Sequence, residues 1–140
     1  MIQVIAGIKG SGKTKRLIDV TNEELKHEHG LIVFIDDDKR YMYDLRHEIR
    51  FVDAGEFEGM KGATADVFLG FLSGILAVNF DITLICIDAF VKLIRGTDLK
   101  DTAHFFEKLD ALSRHSSCSF ILNVSCDIEA LPEHIKPYVI

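Results

Sequence analysis

Eight residues near the start of the chain, Gly7-Ile8-Lys9-Gly10-Ser11-Gly12-Lys13-Thr14, place glycines, a lysine and a hydroxyl at the spacing GxxxxGK[ST]. Between a strand and a helix, such a loop wraps backbone N–H groups closely around phosphate oxygens, and side chains at the glycine positions would obstruct it. Gly7, Gly10 and Gly12 keep that backbone free. Lys13 is expected to bridge the β- and γ-phosphates as a point charge and the Thr14 hydroxyl to ligate Mg²⁺, with Lys9 and Ser11 completing the phosphate-binding set. At ordinary residue usage a chance match anywhere in a chain of this length is on the order of 0.5%. A strand before and a helix after lower it further.

Other residues with chemistry fall at strand ends. Asp88 follows the hydrophobic run Ile82–Ile87, so its carboxylate is expected to hold the magnesium hydration shell opposite Thr14. Asn123 or Ser125, at the end of a later strand, is expected to face the γ-phosphate. A general base is not visible at Ala89, directly after Asp88, and Glu56 or Glu58, in Asp53-Ala54-Gly55-Glu56-Phe57-Glu58, is the expected source of one. Asp36 also ends a hydrophobic strand, but it opens the run Asp36-Asp37-Asp38-Lys39-Arg40 and is expected at the sheet edge as a solvated turn acid. His27 and His29 stand at i and i+2, which on a helix do not share a face, so no metal role follows.

The elements that must position these groups read in alternation. A strand at Ile2–Ala6 enters the glycine loop, and a helix from Lys13 to Glu28 follows with Leu17, Thr21 and Leu25 on one face and Gly30 as its C-cap. Leu31–Ile35 is a continuous apolar run, the pattern of a strand covered on both faces. Then come a polar, helical stretch from Asp38 to Glu48, a weaker strand at Ile49–Asp53 and an apolar helix at Ala63–Asn79. After the central strand Ile82–Ile87, a short helix at Ala89–Arg95 stops at Gly96. Asp101 or Thr102 caps a helix carrying Phe105, Leu109 and Leu112, and Ser119–Val124 forms the fifth strand. Pro132 and Pro137 break up a tail ending in a short strand at Tyr138–Ile140. The alternation predicts a three-layer α/β sandwich on a mostly parallel five-stranded sheet, in one domain spanning residues 1–140. Ligands of such sheets bind at the carboxyl ends of the strands, where the glycine loop, Asp36, Asp53, Asp88, Asn123 and Ser125 all fall.

The glycine loop, the strand ending at Asp88 and the polar fifth strand together resemble the RecA/AAA-like division of P-loop ATPases, in which they are the Walker A loop, the Walker B strand and the sensor strand. That resemblance implies a sheet order 5-1-4-3-2, bound ATP and Mg²⁺, and a glutamate that polarises the attacking water; RecA-like members take it from the end of a neighbouring strand. The whole chain also resembles small bacterial ATP-binding proteins, some labelled twitching-motility ATPases. Pilus motor ATPases carry an additional N-terminal domain, which this sequence is expected to lack. With Ala89 where many such ATPases place the glutamate, the expectation is Mg·ATP binding with weak or partner-dependent hydrolysis. A non-hydrolysing nucleotide sensor and a small-molecule phosphotransferase are the alternatives. GTP is disfavoured, because no [NT]KxD motif occurs and Asp53-Ala54-Gly55 misses the DxxG spacing.

Composition sets the outer bounds. A net charge of -6 over 140 residues is a poor basis for holding nucleic acid, whose affinity comes mostly from clustered Lys and Arg. Cys86, Cys118 and Cys126 show no CxxC spacing and suit a reducing compartment, and nothing at Met1–Ala6 reads as an export signal, so a cytoplasmic location is expected. The longest uncharged stretch, Val67 to Phe80, is too short for a bilayer span. Gly70 and Gly74 within it match GxxxG, where close packing on the sheet is the first explanation and self-association, or a protein partner, the second.

Overall fold

The computed structural model describes all 140 residues. Strand β1 (Ile2–Gly7) leads through the glycine loop into α1 (Lys13–Glu24), followed by β2 (Leu31–Asp36), β3 (Arg50–Asp53) and α2 (Ala65–Val78). Then come β4 (Ile82–Ile87), the short α3 (Phe90–Leu93), α4 (Ala103–Ser116) and β5 (Ser119–Ser125). All five strands run parallel, in the order β1-β5-β4-β2-β3.

This order corrects the expected 5-1-4-3-2. β5 lies between β1 and β4, and β2 rather than β3 borders β4. Burial explains both placements. Phe120 and Leu122 of β5 enter the larger apolar cluster and Ile121 the smaller one on the opposite face, so this strand needs cover and neighbours on every side. The four-residue β3 is only partly covered and takes the edge. Outside β1 the tail adds a parallel bridge between Val4 and Val139, closed by Ile140 N–H donating to the Val4 carbonyl at 3.0 Å; the expected final strand shrinks to this contact.

Two apolar layers sandwich the sheet. On one face Phe68, Leu72, Phe90, Phe105, Phe106 and Leu109 from α2, α3 and α4 pack on Val4, Ile85, Phe120 and Leu122. Their rings interlock, with the Phe90 and Phe105 centroids 5.3 Å apart and those of Phe105 and Phe106 5.5 Å apart in an edge-on pair. On the other face Leu17 and Ile18 of α1 cover Ile5, Phe34, Leu84, Cys86 and Ile121. Cys86 and Cys118 are buried, and burial pushes both thiols up to about 12, which leaves them unreactive.

Local chemistry moves several expected boundaries. α1 ends at Glu24, after which Lys26 and His27 donate back to Glu23 and Glu24 in three-residue turns. Gly30 is not a left-handed cap; a β-carbon there would run into the Asp81 carbonyl and Thr83, so close approach of two chain segments is what requires glycine. The polar stretch after β2 holds a single turn of 3₁₀ helix at Met42–Asp44. Thr64 caps α2 by accepting from Val67 N–H at 3.3 Å. Thr102 occupies the N-cap of α4 with its hydroxyl turned away, donating to the Leu99 carbonyl at 2.7 Å and meeting His134 Nε2 at 2.8 Å. No helix is long and apolar enough to cross a membrane.

Candidate functional site

The glycine loop leaves the carboxyl end of β1 and closes on the first turn of α1. Its three glycines have different reasons. A β-carbon on Gly7 would meet the Ser11 hydroxyl at 2.7 Å, whereas Gly10 and Gly12 hold left-handed backbone at φ +84° and +87°, which L side chains disfavour. Gly12 is also the N-cap of α1. It provides no side-chain acceptor, and no acidic residue stands in the first helical turn, so the positive end of the helix dipole faces the loop without a local counter-charge. Lys13 Nζ folds back over the loop to donate to the Ile8 carbonyl at 2.9 Å.

Opposite the loop, β4 ends at Asp88 in a sharp turn. Ala89 takes a left-handed φ of 55°, unusual for a residue with a β-carbon, and its N–H thereby reaches Asp88 Oδ1 at 3.0 Å. The Thr14 hydroxyl donates to Asp88 Oδ2 at 3.1 Å, and Asn123 Nδ2 donates to Asp88 Oδ1 at 2.9 Å. The parallel order accounts for this meeting: β5 carries Asn123 between β1, which feeds the loop, and β4, which ends at Asp88. Thr14, Asp88 and Asn123 therefore form one hydrogen-bonded set. Asn123 holds Asp88 from beneath, while Ser125, two residues on, lines the cavity above. Sequence alone weighed these two alike.

That cavity measures about 990 Å³ and runs from Lys9, Gly10 and Gly12–Lys15 past Asp88 to Asp36, Asp37 and Tyr41. Asp36 was expected as a solvated acid at the sheet edge. It lies instead on an interior strand and is 2% exposed, because β3 rather than β2 occupies the edge. Its Oδ1 accepts from Asp37 N–H at 2.7 Å, and its Oδ2 has no partner. Burial, and then the neighbouring charge of Asp88, pushes the Asp36 carboxyl up to about 8. Carboxylate oxygens of Asp36, Asp37 and Asp38 lie within 4.8 Å of one another. Lys92 of α3 approaches Asp37 at 3.9 Å.

The expected base is elsewhere. Glu56 forms an ion pair with Lys39 on the surface beside β3, and Glu58 pairs with Lys61 at 3.0 Å; neither lines the cavity. Proximity to β4 was sought on β3, but β2 is its neighbour, and the acids at that strand end are Asp36, Asp37 and Asp38. The signal for them was present, since Asp36 and Asp88 close the two strongest apolar runs of the chain. Arg40, Lys92 and Tyr41 also reach the cavity, and nothing in their spacing marked them.

The donors suit a hard divalent cation. A threonine hydroxyl and carboxylate oxygens are magnesium-type ligands, and two buried oxygens, Asp36 Oδ2 and Asn123 Oδ1, lack any partner within the protein.

No family model matches the chain, and no curated protein matches it. Among solved structures it is similar to the flagellar accessory protein FlaH from Methanocaldococcus jannaschii, with a TM-score of 0.53 and 14% identity. The likeness is one of fold alone: a five-stranded parallel sheet with its flanking helices. The match covers 96% of this chain and 64% of FlaH, so the chain spans less than two thirds of that protein.

Proposed function

We propose that the chain binds Mg·ATP on the loop Gly7–Thr14 and hydrolyses it weakly, or only with a partner. One observation carries this reading: Thr14, at the end of a GxxxxGK[ST] loop, and Asp88, at the end of a buried strand, meet at 3.1 Å beside a cavity of about 990 Å³. In this reading backbone N–H groups of Gly10–Lys13 cradle the β-phosphate, and Lys13 leaves the Ile8 carbonyl to bridge the β- and γ-phosphates. Thr14 and Asp88, with Asp36 close behind, would hold Mg²⁺, which when bound supplies charge neutralisation to the phosphates. Ser125 faces the γ-phosphate and Asn123 keeps Asp88 oriented.

Slow turnover follows from the acids. Ala89 carries no carboxylate, and its left-handed backbone serves to fix Asp88. Among the carboxylates lining the cavity the base in this reading is Asp37, next to the buried Asp36, with a side chain 24% exposed and Lys92 at 3.9 Å. That carboxylate oxygen faces Lys92 and is free to orient a water only once the lysine is drawn away, by phosphate or by a bound partner. Glu56 plays no part in this scheme.

Thermal shift with Mg·ATP, Mg·GTP and Mg·ADP is the test. We expect stabilisation by the adenine nucleotides in the wild type and none in Lys13→Ala. No shift with any nucleotide contradicts the proposal, whereas binding without phosphate release, even at high protein concentration, favours a nucleotide-sensing module over an ATPase.

A further inference from the structure

The outer faces of the three long helices differ. α1 presents Lys15, Asp19 and Glu23 to solvent, and α4 presents Glu107, Lys108 and Arg114. From Val67 to Phe80 the α2 segment carries no charge at all. Val67, Gly70, Gly74 and Val78 lie on one outer stripe of this helix at helical spacing, while Phe68, Leu72 and Leu76 enter the core from the opposite side. Val67 is 46% exposed and Val78 85%. Phe57, 50% exposed, widens the stripe by packing on Phe71 with ring centroids 5.9 Å apart. Together these groups leave on the order of 500 Å² of apolar surface in water, the size of patch that marks an interaction site on a soluble protein. A helix apolar on every side is one that is covered on every side.

We infer that a second copy of the chain covers this face, the two α2 helices running antiparallel about a twofold axis. Two properties of the patch select that occupant. It is uncharged, so it offers nothing to an acidic or basic partner and matches another uncharged face. It is also symmetric in order: valine, glycine, glycine, valine reads alike in both directions, so an antiparallel pair sets Val67 against Val78 of the partner subunit at both ends. A β-carbon built at Gly70 or Gly74 meets nothing within 4 Å, so packing inside the monomer requires neither glycine; in the pair they let the two backbones approach. The two faces together bury on the order of 1,000 Å², the lower limit for a specific interface, and the dimer is therefore weak, with a dissociation constant on the order of 10–100 µM.

Sedimentation equilibrium of the full chain from about 2 to about 500 µM, a range that brackets this constant, tests the contact. The wild type is expected to pass from the 15.8 kDa monomer toward twice that mass. Val67→Glu and Val78→Lys each place a charge that suits its end of the helix dipole, so neither should lower the urea midpoint of the dilute monomer. Each should weaken association by about tenfold or more. Mixed together, the two variants should associate to within about threefold of the wild type, since the introduced charges then face one another across the pair. A wild type that stays monomeric at the highest concentration overturns the inference, and its partition onto phosphatidylcholine vesicles would then assign the face to lipid. Association that neither variant weakens also overturns it, as does a mixture that associates no better than the single variants.

Discussion

Replacing Asp36 with Asn should stabilise the protein in alkaline solution and leave it unchanged in acid. Asp36 is 2% exposed, and its carboxyl is pushed from 3.8 to about 8, first by burial and then by the charge of Asp88. Between those values the folded protein holds a proton that the unfolded chain has released. Stability therefore falls as pH rises: the contribution is complete below 3.8 and lost as pH passes through about 8. At about 1.36 kcal/mol per unit, a difference of roughly four units sets an upper bound of about 5–6 kcal/mol. Water entry and rearrangement around the carboxylates reduce it, so the expected gain for Asp36→Asn is ~2–3 kcal/mol at pH 8.5 and under ~0.5 kcal/mol at pH 4. Urea unfolding followed by circular dichroism, without divalent cations, measures both. Adding Mg²⁺ should narrow the gap at pH 8.5, because a cation stabilises the ionised wild-type carboxylate and not the amide. An equal gain at both pH values refutes the titration argument, and a loss at pH 8.5 refutes the claim that burial outweighs the Asp37 N–H bond.

Lys13→Ala should abolish nucleotide-dependent stabilisation while changing the unfolding free energy by no more than ~0.5 kcal/mol, since the lysine is solvent-facing and bonds only the Ile8 carbonyl; urea unfolding with and without Mg·ATP reads both. Asp37→Asn should reduce phosphate release by about a hundredfold or more, whereas Glu56→Gln should leave it unchanged; a deficit in Glu56→Gln would return the base to the loop beside β3. Gly70→Ala and Gly74→Ala should each raise stability by about 0.5–1 kcal/mol, because an added β-carbon meets nothing within 4 Å on the outer side of α2. Lower stability in either would show that these glycines are needed for packing within the monomer.

The loop and the elements around it were legible because their signals are local. Gly7, Gly10, Gly12, Lys13 and Thr14 lie within eight residues, and the apolar runs closing at Asp36 and Asp88 announce buried strands without reference to anything distant. Strand order is different in kind. Whether β5 borders β1 on its inner or outer side depends on how the two apolar faces divide among four helices, and no short window records that. The error propagated into the site. With β2 misplaced to the edge, Asp36 read as a solvated acid and the base was sought at Glu56, although the rule applied, a carboxylate at the end of the strand beside β4, points to Asp36–Asp38 once the order is known. Asn123 and Ser125 show a finer limit. Both lie at the end of β5, but only the pleat and the turn at Ala89 decide that one grips Asp88 and the other faces the cavity.

Calorimetric titration of Mg·ATP into the wild type, repeated with Lys13→Ala and Thr14→Ala, tests the central claim most directly. The account predicts one site per chain in the wild type, no detectable binding in Lys13→Ala, and in Thr14→Ala weakened binding that no longer depends on Mg²⁺. Absence of binding to the wild type, or equal affinity in all three proteins, would contradict it.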